Sequence, residues 1–201
     1  MQTITITLIR HASTKAIEQD LYCGLADIEI TKKGVQAITE LMDKGMYPLG
    51  ENTLFFTTGL KRTVQTLQLI YGEVCYTPLP WLNEQDLGKL DMRSLKEIEK
   101  IDRYRKWLMD KTGEIRCPGG ESYNEFKFRI KLAFYKMLEQ AKKEGKNALL
   151  ITHASVIAVV MSSIFYDGKK TFKDWQPAPG FGYTVYYNNG FTGYENIALS
   201  L

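Results

Sequence analysis

Histidine is scarce in this chain, with two among 201 residues, His11 and His153. Cysteine is nearly as scarce. Cys23, Cys75 and Cys117 are odd in number, widely spaced and never arranged as CxxC, which excludes a disulfide framework and the common zinc motifs. A reducing cytoplasm is the expected compartment. No apolar run approaches the roughly 18 residues of a membrane helix, and MQTITITLIRH lacks the basic leader of a signal peptide. Nor is charge of one sign concentrated anywhere: 26 basic and 23 acidic residues are interspersed, leaving a net charge of +3. Nucleic acid and membrane surfaces are therefore not expected partners, whereas a small anionic ligand is compatible with that balance. The sequence also lacks repeats, low-complexity tracts and interdomain linkers. With 44% hydrophobic residues, one domain spanning 1–201 can build a sizeable core, and a homodimer stays open.

What is present is an alternation of short apolar runs and helical periods. TITITLI is β-branched and alternating, which predicts a strand with Ile4, Ile6 and Leu8 on one face. Thr31 can cap a helix that buries Val35, Ile38, Leu41 and Met42 and ends near Gly45. TLFFTT predicts a second strand, LKRTVQTLQLIYG the helix after it, and VCYTP a short further strand. SLKEIEKIDRYRKWLMD predicts one helix, opened by a Ser94 to Glu97 capping box, with Leu95, Ile98, Ile101, Tyr104 and Leu108 along one side. A helix from Ser122 to Lys143 buries Phe126, Ile130, Phe134, Met137 and Leu138 before Gly145 stops it, and NALLIT is the next strand. SVIAVVMSSIF is too short to cross a membrane and predicts a buried helix, while YTVYY and YENIALSL flank the turn signal NNGF. The sum is a three-layer α/β fold. Its sheet is mostly parallel, with helices on both faces and an antiparallel element near the C-terminus.

Ligands of such sheets bind outside the carboxyl ends of the strands. Arg10 and His11 follow the first strand, Arg62 lies in the first turn after TLFFTT, His153 follows NALLIT, and Glu84 lies in the loop WLNEQDLG. Two arginines offer planar forks of permanently charged donors that match phosphate oxygens. A neutral imidazole can attack phosphorus, a second can hold the equatorial oxygens, and a carboxylic acid can protonate the leaving oxygen. A metal held by both histidines and Glu84 is the competing reading, yet HxH and HExxH spacings are missing and the arginines would repel a cation. Neither a metal nor a cofactor is expected.

LIRHAST resembles the LxRHGxT signature of the histidine phosphatase superfamily, the phosphoglycerate mutase-like proteins. GLADIEITKKGVQA, FTTGLKRTVQT, LNEQDLGKLD, CPGGES and ITHASVI resemble further segments of that family, in the same order. The resemblance implies a metal-free phosphohistidine mechanism with His11 as nucleophile, Arg10, Arg62 and His153 around the phosphoryl group, and Glu84 as proton donor. It also implies a substrate-binding set of Arg10, Ser13, Cys23, Gly24, Arg62, His153 and Ala154, with 91–121 as a cap inserted over the site. Three positions depart from the family: Ala12 and Ala154 replace glycines, and Ile17 stands where an asparagine is usual. The mutases carry an arginine and a tyrosine shortly after the acid residue, but this chain has Glu84-Gln85-Asp86-Leu87-Gly88. It is thus more similar to the phosphatase branch of the alpha-ribazole phosphatases, and a metal-independent phosphomonoesterase of a small phosphorylated metabolite is the expected activity. A catalytically silent phosphate-binding member and a phosphoglycerate mutase remain the alternatives. Arg93, Arg103, Tyr104, Arg105 and Arg116 are the cap residues that could set specificity.

Overall fold

The first strand sets the frame. In the computed structural model, which describes residues 3–197, β1 (Ile4–Arg10) runs through the middle of the sheet. Ile4, Ile6 and Leu8 face one side and Ile9 the other, each buried, as alternation requires. The chain continues with α1 (Lys15–Glu18), β2 (Leu21–Tyr22), α2 (Lys32–Asp43), β3 (Thr53–Thr57), α3 (Lys61–Tyr71) and β4 (Tyr76–Pro78). Then come β5 (Arg93–Ser94), α4 (Leu95–Glu99), α5 (Asp102–Leu108), α6 (Tyr123–Glu144), β6 (Asn147–Thr152), α7 (Ala154–Ile164), β7 (Gly182–Tyr187) and β8 (Phe191–Ile197). Residues 198–201, the end of the last predicted strand, lie outside the described residues, as does the side chain of Arg103.

The described residues form a six-stranded sheet in the order β4-β3-β6-β1-β7-β8, parallel from β4 to β1 and antiparallel from β1 through β8. The apolar faces of α6 and α7 cover one side, packing Phe126, Ile130, Phe134 and Val156 to Met161 against β1, β6 and β7. On the other side Leu67 of α3 packs with Ile9, Leu149 and Ile151. Each fully buried Leu, Ile or Phe contributes about 1.5–3 kcal/mol, so these two layers dominate the stability of the fold. The sequence anticipates α6 closely because both of its ends are marked. Ser122 and Glu125 form a reciprocal capping box, and Gly145 terminates the helix in a left-handed conformation.

Two expectations are corrected. The single helix predicted over 94–110 is two, because Ile101 adopts an extended conformation (φ −116°, ψ 111°) between α4 and α5. That break lets Ile98, Ile101, Tyr104 and Trp107 close on Leu87, Leu90, Cys117 and Tyr22 in a third, smaller cluster. On α2, Val35 and Met42 are exposed rather than buried. Gly34 is turned inward in their place, and a Cβ there would meet Ser13 O at 2.5 Å. The four-residue α1 and the β2–β5 pair were not expected from the sequence. They are too short to carry a period.

Candidate active site

The register of the central strands decides which residues meet. β1 and β6 run parallel with Arg10 opposite Thr152, so the next residue of each, His11 and His153, leaves the same edge from neighbouring strands. Their ring centroids are 5.2 Å apart. Arg10, Arg62 and Glu84 join them in lining one cavity of about 180 Å³ at that edge. A larger groove of about 390 Å³ runs along α6 beside Trp81 and Phe128, but it is mainly apolar and includes neither histidine.

Each side chain is braced. Arg10 Nη1 donates to Pro177 O at 2.9 Å, and its backbone is tied to Phe181 O and Gly180 N. Arg62 is 1% exposed, and its Nη1 and Nη2 donate to Ala26 O at 2.6 Å and Gly24 O at 2.7 Å. The loop carrying those carbonyls is gripped from its other side by Asp91, whose two oxygens accept from Gly24 N at 2.8 Å and Ala26 N at 2.7 Å. Gly24 must be glycine here, since a Cβ would lie 2.3 Å from Gln85 O. With its terminal nitrogens tied to the loop, Arg62 retains a buried Nε without a partner among the described residues, as do Arg10 Nε and His153 Nδ1.

His11 Nδ1 lies 2.7 Å from Ala12 O. A carbonyl can only accept, so Nδ1 carries the hydrogen and Nε2 keeps its lone pair. Burial pushes this imidazole well below the usual histidine range, with Arg62 and Arg10 acting in the same direction against the bond to Ala12. His153 is depressed likewise, by burial first and then by Arg62, His11 and Arg10. Glu84 moves the other way. Burial raises its pKa despite hydrogen bonds from the Gln85 and Ser155 amides and the attraction of Arg62 and Arg10. Its loop is clamped by Arg129, which donates to Asn83 O at 3.1 Å and Glu84 O at 3.2 Å and pairs with Glu121 at 2.5 Å. Glu121 in turn accepts from Asp86 N at 2.9 Å.

Among the other predicted binding residues, Cys23 and Ala154 line the cavity, and Ile17 does too. Ser13 and Gly24 do not. The Ser13 carbonyl accepts from Thr31 N, and Gly24 acts through its bonds to Arg62 and Asp91. Cys23 keeps its proton, because burial raises its pKa more than Arg62 lowers it. Thr14 caps α1 and also lines the cavity. Neither Ala12 nor Ala154 has a positive φ, so the alanines at these two positions are unstrained. Sequence reasoning missed Asp91, Arg129, Gln176 and the pair Thr58 and Thr63. Only the threonines left a trace there, Thr58 ending the predicted strand TLFFTT and Thr63 lying in the helix predicted after it.

The model of the histidine phosphatase superfamily, branch 1, matches residues 6–193. A 2,3-bisphosphoglycerate-dependent phosphoglycerate mutase of Beijerinckia indica is 28% identical over 164 residues, covering 78% of this chain and 79% of its own. Among solved structures, the alpha-ribazole phosphatase of Shigella flexneri has a TM-score of 0.81 at 21% identity, covering 98% of this chain and 99% of the other. A phosphoglycerate mutase of Bacillus anthracis has a TM-score of 0.76 at 18% identity, covering 95% and 91%.

Proposed function

The chain belongs to the histidine phosphatase superfamily, and from that premise we propose that it is a metal-independent phosphomonoesterase acting through a phosphohistidine on a small phosphorylated metabolite. One observation carries this reading: in the same cavity burial favours a neutral His11 and a protonated Glu84. Burial thus moves the nucleophile toward its neutral form and the acid toward its protonated form, the forms that the first step uses.

In the first step His11 Nε2 forms a bond to phosphorus as the ester P–O bond breaks, and Glu84 delivers its proton to the departing oxygen. Arg10, Arg62 and His153 hold the phosphoryl oxygens, where charge accumulates. In the second step ionised Glu84 takes a proton from water as water attacks phosphorus. The N–P bond breaks, releasing phosphate and restoring neutral His11. The segment 91–121, which packs on Tyr22, Leu87 and Leu90 through the third apolar cluster, serves as the cap. Arg93, Arg105 and Arg116 are its specificity candidates; Tyr104, which the sequence also offered, is buried in the third apolar cluster and does not face a ligand.

The mutase among the relatives favours transfer of the phosphoryl group to a second alcohol. Hydrolysis is preferred because, among the described lining residues, Arg10 and Arg62 are the cations, and both are committed to the phosphoryl group. A sugar-acid carboxylate would have no cation of its own. The test is turnover of an aryl phosphate in excess EDTA, together with acid-labile phosphate trapped on the protein. Both are expected in the wild type and absent in His11→Ala. Retained turnover in His11→Ala would overturn the covalent mechanism.

A further inference from the structure

A line of hydroxyl groups decides where His153 carries its hydrogen. Thr63 Oγ1 donates its single hydrogen to Leu60 O at 2.7 Å, so toward Thr58 Oγ1, 3.2 Å away, it only accepts. Thr58 therefore donates to Thr63 and presents a lone pair to His153 Nε2 at 3.2 Å. Nε2 must carry the ring hydrogen, and both threonines are buried. The two histidines of the site are thus held in opposite tautomers. Neutral His153 is left with a bare Nδ1, buried and without a partner among the described residues. A lone pair facing a phosphoryl oxygen is repulsive, whereas one proton between them forms a charge-assisted hydrogen bond.

We propose that Thr58 and Thr63 are positioning residues that confine the hydrogen of neutral His153 to Nε2, so that a phosphate dianion binds only with uptake of one proton, held between Nδ1 and a phosphoryl oxygen. The proposal rests on the phosphate-site reading above but not on turnover. The groups around His153 set the direction of the change. Arg62 on α3, Arg10 on β1, Arg129 on α6 and His11 all disfavour its protonation in the free protein, after burial itself. A bound dianion offsets the arginines. Glu84 faces the same cavity and is the other group whose protonation a dianion would favour, so the test must separate the two.

Inorganic phosphate is titrated calorimetrically at an alkaline pH well above its own second pKa, where it is a dianion, in two buffers of different ionisation enthalpy. Wild type and Glu84→Gln are both expected to take up about one proton per phosphate, and affinity should weaken about tenfold per pH unit above that point. Zero uptake in Glu84→Gln, or an affinity independent of pH, overturns the proposal. Nitrogen-15 spectra of His11→Gln, which leaves one histidine, read His153 directly: Nδ1 should be bare before phosphate and protonated after it. A hydrogen on Nδ1 beforehand is refuting. Thr58→Val removes the acceptor, frees the hydrogen to move to Nδ1 and should bring uptake close to zero, while Thr58→Ser retains it. Unchanged uptake in Thr58→Val overturns the role of the hydroxyls. Proton uptake without any ester turnover would leave this proposal standing and the phosphatase reading refuted, and turnover without phosphate-linked uptake would do the reverse.

Discussion

Glu84→Gln keeps the shape of the side chain and an acceptor for the Gln85 amide, 2.9 Å away in the wild type. It removes the proton available to a leaving group and the charge that burial disfavours. General acid catalysis contributes about 10²–10⁴ in rate, so turnover of an ester with a basic alkoxide leaving group should fall by that factor. An aryl phosphate, whose leaving oxygen needs little protonation, should lose no more than about tenfold.

The same substitution should raise stability. Burial lifts the folded-state pKa of Glu84 above its unfolded value, so its protonated form stabilises the fold below the unfolded value of about 4.3. That contribution is lost as pH rises through the folded pKa. Beyond it the wild type carries a buried carboxylate that glutamine does not. Every tenfold displacement of the protonation equilibrium corresponds to about 1.4 kcal/mol, and in a chain of this length 1 kcal/mol moves Tm by about 2–4 °C. Glu84 retains partial exposure, so solvent screening puts the effect at the low end of that range. Thermal melts of both proteins across the pH range, paired with rates on the two ester types, make the assay. The Glu84→Gln variant should melt above the wild type in the alkaline range, and the gap should close in acid. Equal losses on both esters, or a variant less stable in alkali, would refute the assignment.

Arg129→Met removes the pair with Glu121, both partners less than one-fifth exposed, and the bonds to the 81–84 carbonyls. It should lower stability by about 2–4 kcal/mol and slow alkyl-ester turnover by loosening the Glu84 loop, an idea sunk by an unchanged melt. Ile17→Asn places an amide donor on the cavity wall and should lower KM for phosphate esters several-fold, by about one neutral hydrogen bond. An unchanged KM means that the position does not reach the ligand. Both histidines have folded pKa values below the unfolded value of about 6.5, so their contribution to stability is present above that pH and lost as pH falls below it. Melts from neutral to mildly acid pH should therefore show a drop that His11→Gln reduces, and a flat profile would contradict the burial argument.

The alternating run of β1, the apolar run of β6 and the capped α6 were legible because each carries its structural instruction in consecutive residues. The convergence of His11 and His153 was legible for a related reason: LIRHAS and LITHAS are two parallel strand ends of similar sequence, and neighbouring parallel strands deliver their carboxyl-terminal residues to one edge. The break at Ile101 was not legible. The local period runs through it uninterrupted, and only the distant Tyr22, Leu87 and Cys117 reward the kink. Asp91 and Arg129 were hidden more completely. Apart from the Glu121 carboxylate that pairs with Arg129, their partners are backbone groups 65–67 and 45–48 residues away, and backbone amides and carbonyls look alike in any sequence.

On the proposed reading, this hidden layer lets the site accept alanines and an isoleucine at the three positions where the resemblance would place glycines and an asparagine. The bonds that orient His11 and Arg62 run through backbone groups and not through the side chains at those three positions. Arg62 is fixed by two carbonyls of a loop that Asp91 holds from the opposite side, and Ala12 N donates to Thr66 Oγ1 at 2.9 Å, which itself donates to Arg62 O at 2.7 Å. The strand bearing His11 and the helix bearing Arg62 are thereby locked through one hydroxyl. A Cβ at position 12 or 154 adds buried surface without disturbing that lock. Ile17 removes one neutral donor but leaves the charged donors where they were. Because hydrogen bonds to charged groups are roughly twice as strong as neutral ones, the geometry that would matter most to the proposed phosphoryl group is held by residues the departures leave untouched.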